Sequence, residues 1–196
     1  SDLTQDRLGM DVETYARLTS EVDIVINSAA KVAFDEPLNL ALEQNTLGPK
    51  RDVEFAQACR DAILVHLSTA YVNGQEKGFI SETALVADQS VAELMDNKNA
   101  PDYDLESEIE AIQEFCREVD EASHKPERDI EFRRMLDRQD RGKRVTPYRR
   151  EHQIEALRQR WRRERLVARG LARGRELGWH DSYSLTKAMG EQMIAK

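Results

Sequence analysis

Val22-Asp23-Ile24-Val25-Ile26-Asn27-Ser28-Ala29-Ala30 and Ile63-Leu64-Val65-His66-Leu67-Ser68-Thr69-Ala70-Tyr71-Val72-Asn73-Gly74 decide the fold of this chain. Each opens with a short β-branched apolar run and closes on small or polar residues, the pattern of a buried strand running into a ligand-side turn. Upstream, Asp11 can cap a helix whose apolar positions Val12, Tyr15, Ala16 and Leu18 follow helical spacing. Between the strands, Pro37 suits the first turn of a helix that runs towards Cys59. Pro49 lies inside that helix and has no N–H to give to the carbonyl of Asn45, which predicts a kink there. Two strands joined by a helix-length connection form a parallel βαβ unit. The carboxyl ends of neighbouring parallel strands hold ligands, so Asn27–Ala30 and Ser68–Thr69 meet at one crevice.

From residue 87 to 178 the character changes. Asp102 to Glu131 holds 12 acids against 3 bases, and Arg141 to Arg175 holds 13 bases against 3 acids. Such segregation predicts a helical hairpin that sets an acidic face against a basic one. Leu105, Ile109, Ile112, Cys116 and Val119 form an apolar stripe at helical spacing. Ile154, Leu157, Trp161 and Leu171 form a second stripe, and Ile130, Met135 and Leu136 a shorter one between them. Gly170, Gly174 and Gly178 recur every four residues without a preceding strand, a helix-packing spacing and not a phosphate loop. The expected class is therefore α/β with a large charged helical insertion.

Composition narrows the function. Aromatics at 6 % with only 9 Gly and 5 Pro argue against an all-β sandwich. A net charge of −8 and a pI near 5.2 oppose attraction to nucleic acid, and no nucleic-acid module is recognisable. Cys59 and Cys116 lie too far apart for a redox or zinc pair and read as core residues. No apolar run is long enough to span a bilayer, and no charged-then-apolar leader opens the chain, so the expected compartment is cytoplasmic and reducing. His66, His124, His152 and His180 show no metal-ligand spacing.

Residues 179–196 resume amphipathic order, with Asp181 or Ser182 able to cap a helix. Tyr183 and Lys187 then stand one turn apart on a single face. In isolation such a pair is a common surface feature. Downstream of two parallel strands with small-residue ends, it gains a crevice to face.

Taken together, Asp2-Leu3-Thr4, Val22 to Phe34, Asn45-Thr46-Leu47-Gly48, Ser68 to Gly74 and Gly178 to Lys187 resemble the fatty acyl-CoA reductase branch of the extended short-chain dehydrogenase/reductase superfamily. That branch is related to the thioester reductase domains of carboxylic acid reductases. The resemblance covers roughly residues 1–86 and 170–196 and is weak across the charged segment. It implies a partial Rossmann-like parallel sheet. Residues 1–86 would be the central part of an NAD(P)-binding domain, 87–178 the insertion, and 179–196 the helix bearing Tyr-x-x-x-Lys. It also implies NADPH as cofactor and a long-chain acyl-CoA as substrate, reduced to an aldehyde or alcohol. Tyr183 would be the catalytic acid, and Lys187 would lower its pKa and hold the nicotinamide ribose. Thr69 would hydrogen-bond the substrate carbonyl, with Ser68 ranked second because it stands one residue off the usual hydroxyl position. Asn45 would sustain the helix kink and a water path to Lys187. Asp2 and Leu3 would contact adenine, and Ala29, Ala30 and Lys31 would pass beside the cofactor's ribose and diphosphate.

Two departures from the family pattern stand out. Pro49 replaces the usual threonine, which the kink accommodates. The Gly-rich phosphate loop is absent, so a middle segment of a longer enzyme is expected, inactive alone for want of that cradle. The rival readings are a nucleotide-sugar epimerase or dehydratase, which predicts Val-Tyr-Gly where Val72-Asn73-Gly74 stands, and a non-catalytic helical interaction fragment. The arginines around Arg158, Arg160, Arg162, Arg163 and Arg165 read first as a partner for the acidic helix. Their second reading is attraction for coenzyme A phosphates or peripheral contact with an anionic membrane. The free edge of an incomplete sheet could pair with a second copy, giving a homo-oligomer.

Overall fold

A computed structural model describes residues 2–81, 86–140 and 145–196, so the opening of the basic stretch at 141–144 lies outside the described residues. Helix α1 (Val12–Glu21) is capped by Asp11, whose carboxylate accepts from Thr14 N at 2.8 Å. Strands β1 (Ile24–Asn27) and β2 (Ile63–His66) pair in parallel, with Ile24 opposite Ile63 and Asn27 opposite His66. The connection runs through α2 (Leu38–Leu42), a π-helical turn (Glu43–Leu47) and α3 (Gly48–Ala58). Pro37 is the residue just before α2, and the π turn is the deformation expected from Pro49, whose ring nitrogen cannot continue the α-helical ladder.

One face of the sheet is covered. Val25 packs with Tyr15, Leu18, Phe55 and Cys59 of α1 and α3, and the Tyr15 and Phe55 rings meet edge-on at 5.4 Å. The opposite face corrects the expectation of fully buried strands. Ile24, Ile26, Ile63 and Val65 all point there and are exposed, because side chains alternate along a strand and no described element lies over that side.

After the short helix α4 (Val91–Leu94) come three long helices, α5 (Leu105–Ser123), α6 (Pro126–Gln139) and α7 (Pro147–Glu176). Leu105, Ile109, Ile112 and Val119 of α5 are buried together with Leu38 and Leu42 of α2 and Leu185, Ala188 and Met189 of the last helix, α8 (Ser182–Ala195). One hydrophobic core thus joins the charged helices to the flank of the βαβ unit. In α6 the buried pair is Phe132 and Leu136, set against Ile154, while Ile130 and Met135 are exposed. The stripe lies on another face than expected because Phe132, with the larger apolar area, takes the inner position.

The acidic and basic helices pair as their charges predict. Arg162 reaches Asp120 at 2.7 Å, Arg158 reaches Asp129 at 2.7 Å and Arg150 reaches Asp137 at 3.2 Å, while one pair runs with reversed polarity, Arg133 of α6 to Glu151 of α7 at 3.1 Å. These pairs are partly solvated and each contributes little, about 0–1 kcal/mol. Glu108 differs: it is 6 % exposed and takes a forked bond from Arg173, the shortest contact being 2.6 Å. Close approach of α7 to the start of α8 uses two glycines, since a Cβ at Gly170 would sit 2.3 Å from Ser182 Oγ and one at Gly174 2.8 Å from Asp181 O.

Removing Arg173 alone should be costly, because it leaves the Glu108 carboxylate buried and unpaired. Arg173→Met is expected to lower the unfolding free energy of the full-length protein by about 3 kcal/mol. The double variant Arg173→Met/Glu108→Met should recover most of that loss in denaturant titrations.

Candidate active site

Asp181 starts α8 by accepting from Ser184 N at 2.8 Å, and Ser184 Oγ in turn accepts from Asp181 N at 3.2 Å. That register sets Tyr183 and Lys187 on the face turned towards the end of β2. The Lys187 side chain is 2 % exposed, donates from Nζ to Leu67 O at 2.9 Å and lies 3.3 Å from His66 Nε2. Burial depresses the Lys187 pKa, which the Glu191 carboxylate one turn on partly offsets. Burial and the neighbouring ammonium push His66 down to about 4, so its imidazole is neutral. Burial raises Glu191, against the pull of Ser68 and Lys187. The Ser68 hydroxyl is itself buried without a hydrogen bond of normal geometry, although it stands near enough to the Glu191 carboxyl to favour its ionised form.

The turn after β2 is stapled to the entry of α8. Trp179 is fully buried and donates from Nε1 to Val72 O at 2.7 Å, and Gln75 N donates to Gly178 O at 2.9 Å. Gly74 and Gly178 both have positive φ, and a Cβ at Gly74 would lie 2.3 Å from Gly178 O, so only glycine fits this joint. Thr69 caps the 3₁₀ turn Ala70–Asn73, its hydroxyl accepting from Tyr71 N at 3.3 Å. The Tyr71 ring meets Tyr183 edge-on at 6.4 Å, and Phe34 completes the group at 5.8 Å from Tyr71 and 5.7 Å from Tyr183. Phe34 and Tyr71 remain 54 % and 53 % exposed, an aromatic rim around a nearly buried phenol.

Asn45 holds the other side together. Its Oδ1 accepts from Lys31 N at 2.8 Å, and its Nδ2 donates to Lys31 O and to Thr186 Oγ1, both at 3.1 Å. The Lys31 backbone is thereby fixed, while its side chain is exposed. Ala29 N donates to Asn27 Oδ1 at 3.0 Å, and the Asn27 amide donates to the buried Asp52 carboxyl. Ala29, Asn27 and Asp52 line an open cleft of about 640 Å³ shared with Asp2 and Leu3. The Asp2 carboxylate accepts from Thr4 N at 2.9 Å, Thr4 Oγ1 at 2.7 Å and Gln5 Nε2 at 2.8 Å, bonds that lower its pKa. Leu3 O accepts from Arg51 at 2.7 Å.

Two groups of the expected residues therefore form. Tyr183, Lys187 and Asn45 cluster on α8 and the π turn beside the turn begun by Thr69, while Asp2, Leu3 and Ala29 share the cleft. The segment Asn27–Lys31, Ala30 included, runs between them. An elongated dinucleotide suits this layout at its two ends, with small side chains at Ala29 and Ala30 and a buried cation at Lys187. The residues present include no glycine-rich turn for its diphosphate.

His66, Phe34, Tyr71, Thr186 and Asp52 join the site without having been singled out from the sequence for it. A signal existed for His66: it shares the half-buried face of β2 with Leu64, while Ile63, Val65 and Leu67 are exposed, so it is a polar residue at an inward position.

Over its whole length, residues 1–196, the chain matches a nicotinamide-dinucleotide-binding family described as male sterility protein. The chain belongs to this family. Fatty acyl-CoA reductase 2, chloroplastic, of Arabidopsis thaliana is 30 % identical across 98 % of this chain and 26 % of its own length. The alcohol-forming fatty acyl-CoA reductase of Simmondsia chinensis is 28 % identical across 98 % of this chain and 32 % of its own length. Fatty acyl-CoA reductase 8 of Arabidopsis thaliana gives 28 % over the same shares. The chain thus sits in the fatty acyl-CoA reductase branch and spans about a quarter to a third of the length of these relatives. The match includes the charged helices, where the family motifs are weakest. Among the described residues no helix is long and apolar enough to cross a membrane.

Burial raises the Asp52 carboxyl from 3.8 to about 6, partly opposed by the Asn27 amide. The fold therefore favours the neutral acid, a contribution complete below the unfolded value and lost as pH rises through the folded one. Asp52→Asn keeps an acceptor for Asn27 and cannot ionise. It should stabilise the full-length protein on the order of 1 kcal/mol near pH 8, with the gain vanishing towards pH 4, as read by thermal unfolding at both pH values.

Proposed function

We propose that this chain is the central part of an NADPH-dependent reductase of long-chain acyl-CoA thioesters. The bare face and free edge of its sheet would be completed by further strands and helices of a Rossmann-like domain, with residues 87–178 as an inserted helical layer. The observation that carries this reading is the burial of the Lys187 ammonium at the end of β2, one helical turn from the Tyr183 phenol. A desolvated cation stabilises negative charge that develops near it during a reaction.

Bound nicotinamide supplies a hydride to the thioester carbonyl carbon; every other role falls to side chains of this protein. Thr69 hydrogen-bonds the carbonyl oxygen and shares the charge that develops there. Tyr183 gives its proton to that oxygen, and Lys187 stabilises the phenolate left behind and holds the ribose. The resulting hemithioacetal expels coenzyme A as the thiol and leaves an aldehyde, so one hydride and one proton are consumed. The product is this aldehyde or, where a second hydride and proton would be delivered to it, the alcohol. Asn45 keeps the π turn and the Lys31 backbone in place and opens a water path towards Lys187. Asp2 and Leu3 border the adenine, Ala29, Ala30 and Lys31 flank the ribose and diphosphate, and Ser68 is the reserve hydroxyl. The Phe34 and Tyr71 rings form an apolar rim suited to the first methylenes of the acyl chain.

In the full-length protein, Tyr183→Phe is expected to lower kcat for NADPH-dependent acyl-CoA reduction by about 10²–10⁴-fold with little change in folding. Turnover is followed by loss of NADPH absorbance and chromatography of aldehyde and alcohol. Wild-type turnover in that variant, or NADPH oxidation with no acyl product from the parent, would defeat the reading.

A further inference from the structure

Lys187 is an ammonium with three N–H donors in a nearly solvent-free position. Its hydrogen-bond partners among the described residues are neutral: Leu67 O at 2.9 Å and His66 Nε2 at 3.3 Å. The charged group on its own helix is Glu191, too far for an ion pair. At the end of β2 and just after it, His66 Nε2 and Leu67 O meet it, and Tyr183 stands one turn earlier on α8. The π turn nearby contributes the uncharged Asn45, bonded to Thr186. A buried cation held in this way depends heavily on each neutral acceptor.

We propose that His66 is a positioning residue, which accepts a hydrogen bond from Lys187 through Nε2 and so keeps the ammonium charged and aimed at Tyr183. This inference rests on the reductase reading above. For Nε2 to accept, the ring must be neutral and carry its proton on Nδ1. Burial and the adjacent ammonium both enforce neutrality. Among the described residues the Nδ1 atom is buried without a hydrogen-bond partner, so Lys187 is the group that selects this tautomer. An orphaned buried N–H opposes stability, and an aliphatic residue at this strand position would avoid it. The histidine is therefore better matched to holding Lys187 than to filling the core.

The test uses the full-length protein with carbon-13 at lysine Cε, the Lys187 signal being assigned by its loss in Lys187→Arg. His66→Leu removes the acceptor. His66→Gln places an amide oxygen near the former Nε2, and His66→Asn is too short to reach. In His66→Leu and His66→Asn the titration midpoint of Lys187 should fall by about one pH unit, and in His66→Gln it should stay near wild type. In His66→Leu and His66→Asn kcat should drop about tenfold and its basic limb move to lower pH, because the ammonium is lost sooner as pH rises, and both should be retained in His66→Gln. A Lys187 midpoint unchanged in both His66→Leu and His66→Asn overturns the proposal, as does an equal shift in His66→Gln. If His66→Leu fails to fold, the Gln and Asn pair decides alone. The titration needs no turnover, so a parent without reductase activity defeats the functional reading while leaving the Lys187 shift to be judged by itself.

Discussion

The Asn45 side chain is the joint on which the arrangement turns. One amide bonds both backbone atoms of Lys31 and the hydroxyl of Thr186, fastening the loop after β1 and the middle of α8 to the π turn. Thr46 adds a bond from Oγ1 to Thr186 O at 2.8 Å. The contact tolerates no extra atom, since a Cβ at Gly190 would lie 2.0 Å from Asn45 O. Pro49 is the chemical origin of this geometry, because the N–H it lacks is what a regular helix would have given to that carbonyl. Tyr183 and Lys187 face the end of the sheet because α8 is held at this distance.

With α8 so placed, the Lys187 ammonium is enclosed between the helix and the end of β2. Taking a cation out of water is costly unless acceptors meet it, and here a strand carbonyl and an imidazole do so. The same enclosure keeps the imidazole neutral and raises the Glu191 carboxyl. Lys187, His66 and Glu191 thus perturb one another's ionisation at the end of β2, one helical turn from Tyr183. The second anchor is the Trp179–Val72 bond with its paired glycines, which sets the turn carrying Thr69 and Tyr71 against the start of α8.

The charged helices contribute in a different way. Their ion pairs fix which faces of α5, α6 and α7 meet, but most lie in water and add little energy singly. Binding strength comes from the apolar stripe of α5 against α2 and α8, and from the buried Glu108–Arg173 fork. Arg163 also reaches the loop after β1, donating to Asp35 Oδ2 at 3.2 Å next to Phe34. The basic helix is thus tied directly to the segment that forms the aromatic rim.

Local patterns were readable from the sequence because local physics produces them. The strand runs at Ile24 and Ile63, the caps at Asp11 and Asp181, the distortion at Pro49 and the shared face of Tyr183 and Lys187 all follow from nearest-neighbour geometry. The charge segregation likewise announced which helices would pair. Tertiary structure alone decided that Phe132 and not Ile130 or Met135 turns inward, and which face of the strands α1 and α3 cover. It alone brought His66 to Lys187 and set Phe34, Tyr71 and Tyr183 ring to ring. Those partners lie far apart along the chain, and periodicity tells which way a side chain points on its own element but not what another element will place in front of it.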